Sequence, residues 1–168
     1  MNKSLPQRKT NRLRQYDYSQ NGIYHLIICT NGRKRILSEI IAENQTSGAE
    51  TLIERPCVRL TEIGRIVDDA INNIAVHYDN ITVEKYVIMP NHIHLLLAVD
   101  QPIDGRLVIA PTVSTVIKQM KTYVTKQAGY PIWQKGYYDH IVKNEADYES
   151  VWTYIDENPV KWENDEYY

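Results

Sequence analysis

The chain has 168 residues, 43% hydrophobic and 24% charged, which suits one domain with a substantial core over 1–168. Its formal net charge of −2 is no sign in itself of a nucleic-acid binder. No apolar run approaches the ~20 residues of a membrane span, the start MNKSLPQRKTNRLR lacks the apolar region of a signal peptide, and Cys29 and Cys57 fall in no CxxC pattern; these features argue against a membrane-spanning helix, a zinc finger and a disulfide scaffold, and a cytoplasmic location is expected.

In chain order, residues 1–20 are a basic arm: Lys3, Arg8, Lys9, Arg12 and Arg14 precede Tyr16 with no acid among them. Gly22 to Thr30 is rich in strand formers and stops at Asn31-Gly32, a turn signal, after which Arg33, Lys34 and Arg35 follow. Ile36 to Ile41 suits a short segment. Glu43 to Arg59 is polar, holds Gly48 and Pro56, shows no sustained periodicity and reads as a loop. From Thr61, a residue suited to cap a helix, apolar side chains recur at Ile63, Ile66, Val67, Ala70, Ile71, Ile74 and Tyr78 in the rhythm of an amphipathic helix.

Ile81 to Val99 reads as two strands joined at Met89-Pro90-Asn91, since proline excludes one continuous central strand. A loop to Pro111 leads to a second helix that carries Val113, Val116, Ile117, Met120, Tyr123 and Val124 on one side, Lys118, Lys121 and Lys126 on the other, and ends at Gly129. Tyr137 to Val142 predicts a fourth strand and Asp147 to Glu157 a last helix, stopped by Pro159. The order β-α-β-β-α-β plus a final helix is the α+β, ferredoxin-like split arrangement: an antiparallel sheet with helices on one face and the C-terminal helix added. Acids concentrate late, from Glu145 to Glu166, which permits a basic face elsewhere. Thirteen tyrosines and no phenylalanine have no explanation in the sequence.

Two constellations carry chemistry. In HIHLLLAV, alternation puts His92 and His94 on one face and Ile93, Leu95, Leu97 and Val99 on the other. At ~3.3 Å per residue their Cα atoms are ~6.6 Å apart, close enough for both rings to reach one metal ion. Single buried histidines are more often hydrogen-bonded internally, but a neighbouring pair needs two sets of partners where one ion would serve both. On the last helix Tyr148, Val151, Trp152 and Ile155 form an apolar stripe, with Asp147, Tyr154 and Asn158 on its flank. Tyr154 and Asn158, four apart, approach one site. Packing alone also accounts for them, as a ring at the core edge and an asparagine closing a helix.

MPNHIHLLL resembles the His-hydrophobic-His signature of the HUH endonucleases, specifically the IS200/IS605-like single-tyrosine transposases. RLRQYDYSQNGIYHLIICTNGRKR, LTEIGRIV and WQKGYYDHIVKNEADYESVWTYIDENPVKW resemble, in the same order, the REP-associated tyrosine transposase branch, and together these blocks cover most of the chain. The resemblance implies that Tyr154 of YIDEN is the catalytic nucleophile and that His92, His94 and Asn158 hold a divalent metal, Mg²⁺ or Mn²⁺ in the family, although imidazoles by themselves also suit Zn²⁺. It implies a 5′-phosphotyrosine link, a free 3′-hydroxyl, and a hairpin of single-stranded DNA as substrate. Arg12, Arg14, Arg33, Lys34, Arg35 and Lys118 are candidates for phosphate contacts, and Tyr16, Trp133 and Tyr137 for base stacking. Two other readings stand beside this one: a nickase of replication-initiator type, for which 168 residues leave little room, and a catalytically inactive nucleic-acid-binding domain of the same fold. Whether the last helix serves its own subunit or that of a homodimer partner is open in the sequence; His25 and His140 are expected to be structural, with partners the sequence does not identify.

Overall fold

The computed structural model describes residues 21–47, 51–100 and 112–164. In chain order its elements are β1 (Gly22–Cys29), β2 (Ser38–Ser47), β3 (Thr51–Leu60), α1 (Glu62–Asn72), α2 (Ile74–His77), β4 (Ile81–Ile88), β5 (His92–Val99), α3 (Val113–Ala128), β6 (Tyr138–Val142) and α4 (Glu145–Glu157). β4, β5, β1 and β6 lie side by side in that order, every neighbouring pair antiparallel. This is the split β-α-β arrangement of an α+β fold.

Alternation divides the sheet between two layers. Tyr24, Leu26, Ile28, Ile93, Leu95, Leu97 and Val99 join Val67 and Ile71 of α1 and Val113, Val116, Ile117 and Val124 of α3 in the main core. The opposite face is covered by α4, whose Val151 and Ile155 close on Leu96 with Tyr148 and Trp152 beside them. The histidine pair lies on that second face, because β5 pairs His94 with Ile27 and His92 with Cys29, out of phase with the core positions. The helix carrying Tyr154 therefore covers the sheet face that carries the histidines.

Local chemistry fixes the helix ends. Thr61 accepts a hydrogen bond on its hydroxyl from the Gly64 N–H, and Gly129 closes α3 at φ 78°, a left-handed conformation that glycine adopts without strain. The apolar rhythm from Ile63 to Tyr78 is broken at Asn73 into α1 and a single further turn, α2. Residues 43–47 and 51–59 correct the expected loop: they form most of two antiparallel strands, β2 and β3, which pair from Ser38↔Leu60 to Ser47↔Thr51. The pattern is hidden because the side chains at 39–42 and 56–59 are exposed or half-buried, so no face alternates. Pro56 is tolerated because each strand of a two-stranded ribbon is an edge.

The ribbon base is bolted to the sheet. The Ser38 hydroxyl donates to the Ile88 carbonyl at 2.7 Å, and the Leu37 N–H donates to the Pro90 carbonyl at 3.0 Å. The Leu37 carbonyl in turn accepts from the Thr61 N–H and hydroxyl, both at 3.0 Å. A methyl group on Gly64 would sit 1.9 Å from that same oxygen. Gly64→Ala is accordingly expected to destabilise the fold by about 3 kcal/mol, since the obstacle is held backbone and not a movable side chain. At this size that is roughly 6–12 °C in Tm, and a melt unchanged within 2 °C would refute the close approach.

Candidate active site

Two strands and two helical ends build the site. His92 and His94 are fully buried, and their Nε2 atoms face each other at 2.8 Å. Each ring is held from behind. His92 Nδ1 donates to the Asn91 side-chain oxygen at 2.8 Å, and His94 Nδ1 meets His25 Nε2 of β1 at 3.0 Å. The Asn91 backbone is itself fixed, its carbonyl accepting from the Thr30 N–H at 2.9 Å and hydroxyl at 3.0 Å.

α4 lays Tyr154 against this pair. The Tyr154 ring stands edge-on to His94, centroids 5.2 Å apart at 86°, and at 6.1 Å from His25. The residue is 40% exposed, so the ring is seated while access from solvent remains. Several contacts fix the helix. Asn144 caps it by accepting from the Asp147 N–H; the Asp147 carboxylate accepts from His140 Nε2 at 2.9 and 3.0 Å and from the Lys143 N–H at 2.9 Å. A register shift in β4 between Val83 and Lys85 lets neighbouring residues both reach α4. Glu84 accepts from the Tyr148 hydroxyl, while the Lys85 ammonium lies 4.0 Å over the Trp152 ring and pairs with Asp156.

Beyond Tyr154 the chain passes the histidines again. Asn158, 3% exposed, donates from Nδ2 to the Tyr154 carbonyl at 3.2 Å, and its Oδ1 is buried with no hydrogen-bond partner among the described residues. Trp162 lies 6.1 Å from His92, and the Arg35 guanidinium stands 5.5 Å over Trp162. Arg33, in the turn after β1, adopts φ 53°, unusual for a residue with a side chain.

Burial sets the charge state of the histidines. It lowers His92 to about 3, with Arg33 adding to the effect, and His25 to about 4, with His140 adding and Asp147 opposing. His94 is pushed well below the ordinary histidine range by burial and then by the other two rings. All three are neutral near pH 7, the form in which imidazole binds metal. Because the folded pKa values lie below the unfolded value of about 6.5, the unfolded chain binds more protons between them, and stability falls as pH drops below 6.5. For His25 alone the loss by pH 4 is on the order of 3 kcal/mol. Thermal melts in metal-free buffer from pH 7.5 to 4.5 are expected to show this decline, which flat Tm values would contradict.

Among the described residues, no group of three or more His, Cys, Asp or Glu side chains is placed to hold a metal ion. The donor set nevertheless fits one. Two ring nitrogens 2.8 Å apart need to open only a few tenths of an ångström to bind one ion at ~2.0–2.2 Å each. The amide oxygen of Asn158, one turn beyond Tyr154, is buried with no hydrogen-bond partner among the described residues, a state that buried acceptors rarely keep.

The remaining sequence candidates are spread out. Arg33, Lys34 and Arg35 are exposed or nearly so, after the histidine end of β1. Lys118 and Trp133 lie on the α3 side of the sheet, in a cleft of about 610 Å³ that Lys126 and Lys135 also line. Tyr137 is buried in the main core, its hydroxyl 3.0 Å from that of Ser114. Lys121 spends its ammonium on the Gln134 and Gly136 carbonyls, and burial lowers it to about 8. Arg12, Arg14 and Tyr16 lie outside the described residues. Sequence reasoning missed Asn91, Trp162 and the contact of His25 with His94; only strand register, not local pattern, could reveal the last.

A tyrosine thus stands against paired histidines on one face of an antiparallel split β-α-β sheet. The fold matches the solved structure of a REP-associated tyrosine transposase bound to a REP hairpin, at a TM-score of 0.63 and 21% identity over 90% of this chain and 73% of that one. Residues 18–158 match the family "Transposase IS200 like", and the chain belongs to that family. It is also 25% identical, over 99% of its length and 96% of the relative's, to a Haemophilus influenzae protein described as uncharacterized. A putative transposase from Deinococcus radiodurans R1 aligns at 18% identity and a TM-score of 0.47, over 86% of this chain and 95% of that one.

Proposed function

We propose that the protein is a metal-dependent strand transferase acting on single-stranded DNA that carries a hairpin, with Tyr154 as nucleophile. The observation that carries this reading is the edge contact of the Tyr154 ring with His94 at 5.2 Å, beside the two convergent imidazole nitrogens. Membership of the IS200-like family supports the same chemistry.

His92, His94 and Asn158 would hold the ion. A divalent ion such as Mn²⁺ or Mg²⁺ supplies Lewis-acid polarisation of a scissile phosphate oxygen. The chain does the rest. α4 and the β4 tethers hold the phenol in line with the phosphorus, which converts a bimolecular attack into a positioned one. The Tyr154 oxygen bonds to phosphorus, its proton passes to water, and the bond from phosphorus to the 3′-oxygen breaks, that oxygen taking up a proton from water, which leaves a 5′-phosphotyrosine and a 3′-hydroxyl. A 3′-hydroxyl attacking the same phosphorus reverses the step and releases the phenol. One phosphodiester is exchanged for another, which suits rejoining better than hydrolysis.

Arg33, Lys34 and Arg35, with Arg12 and Arg14 of the N-terminal arm, are proposed to follow the phosphates of the single strand into the site. The lysine-lined cleft with Trp133 is proposed to take a separate part of the DNA, and the REP-associated transposase of similar fold solved bound to a REP hairpin makes a stem the proposed occupant. Lys118→Ala combined with Lys126→Ala is expected to weaken hairpin binding several-fold and to flatten the salt dependence by about one unit of slope per lost phosphate contact. Unchanged affinity and slope would remove the cleft from the binding surface.

The reading is tested by incubating the protein with labelled hairpin-bearing single-stranded DNA and Mn²⁺, then separating under denaturing conditions. A protein–DNA adduct that fails to form in EDTA is expected. Binding with no adduct over a varied set of hairpins would favour an inactive nucleic-acid-binding domain.

A further inference from the structure

His25 sits behind His94, and hydrogen counting gives it a task. The Asn91 side-chain oxygen accepts from His92 Nδ1 at 2.8 Å, so neutral His92 carries its hydrogen there and leaves Nε2 bare. His94 Nε2 faces that bare nitrogen at 2.8 Å. Without a cation between them, His94 Nε2 must carry the hydrogen, which leaves His94 Nδ1 as an acceptor for a hydrogen on His25 Nε2 at 3.0 Å. With a cation held by both Nε2 atoms the assignment inverts: His94 carries its hydrogen on Nδ1, and His25 Nε2 must accept.

We infer that His25 is a positioning residue that serves His94 in both states by exchanging its own tautomer, donating from Nε2 to the free site and accepting there when His92 and His94 hold a metal. A carboxylate in its place could only accept, and a lysine could only donate. The surroundings favour a neutral ring that can exchange. His25 is 7% exposed, stacks on His94 at 5.2 Å and 23°, and touches the Tyr154 ring edge. Its cross-strand neighbour His140 has its Nε2 committed to Asp147. One side chain thereby fixes the metal-facing nitrogen of His94 and supports the ring of Tyr154.

The inference rests on the reading of His92 and His94 as metal ligands, and the test separates the two. Long-range nitrogen–proton NMR correlation spectra of the histidine rings in the metal-free protein at pH 7.5 should show Nε2–H tautomers for His25 and His94 and an Nδ1–H tautomer for His92. Titration with Mg²⁺ or Zn²⁺ should convert His25 and His94 to Nδ1–H and leave His92 unchanged. Calorimetry should show His25→Phe, which keeps a ring but no hydrogen bond, weakening Mn²⁺ binding ~10–100-fold, as loss of a partner behind a ligand typically does. His25→Gln, whose amide can donate or accept at similar reach, should stay within about threefold of the parent. A His94 Nδ1–H tautomer in the metal-free protein, or parental Mn²⁺ affinity in His25→Phe, would overturn the role of His25 with the ligand reading intact. Ring signals of His92 and His94 that ignore every metal would overturn both.

Discussion

Tyr154→Phe is expected to abolish the covalent adduct, lowering strand cleavage by at least about 10³-fold, the scale on which loss of a nucleophile exceeds loss of a binding contact. The substitution keeps the ring that stands against His94 and His25 and removes only the hydroxyl. With the residue 40% exposed, no large packing loss accompanies it, and folding and DNA affinity should stay close to the parent. Comparable adduct from the variant would move the nucleophile elsewhere, with Tyr138, also exposed, the first to examine.

His94→Ala should cost nearly as much in activity, and unlike Tyr154→Phe it should cost stability. Removing the ring deletes one donor of the proposed metal site and strips partners from His25 Nε2 and His92 Nε2 at once. Cleavage at saturating Mn²⁺ is expected to fall by at least ~10²-fold, more than loss of a supporting partner alone gives, together with roughly 3 kcal/mol of stability from the cavity and the stranded polar groups. Parallel melts and cleavage assays check both. Retained cleavage in a folded His94→Ala protein would mean that the imidazole pair is a core feature and no metal site.

The sequence made some of this arrangement legible and hid the rest for physical reasons. Alternation in HIHLLLAV placed the histidines opposite Ile93, Leu95 and Leu97 because every second side chain enters one core. The cap at Thr61 and the glycine at 129 were legible because helix ends have local chemistry. The β2–β3 pairing was not, since its side chains at 39–42 and 56–59 are exposed or half-buried and show no alternation. Nor was the shift at Glu84, because an extra residue in a strand leaves no mark in composition. His25 and His94 are 69 residues apart, and their meeting depends on cross-strand register. The tyrosine excess becomes partly intelligible in the fold: Tyr78, Tyr86, Tyr137 and Tyr148 each pack a ring and give the hydroxyl a partner, Gln119, Asp68, Ser114 and Glu84 respectively.

The central claim is that the phenol beside the histidine pair bonds to DNA, and mapping the linkage tests it most directly. After reaction with hairpin-bearing single-stranded DNA and Mn²⁺, the adduct is digested with nuclease and protease and its peptides are weighed. The account expects a nucleotide mass on the peptide containing Tyr154, joined through a 5′-phosphate. A nucleotide on any other tyrosine, or free DNA ends with no modified peptide, would contradict it.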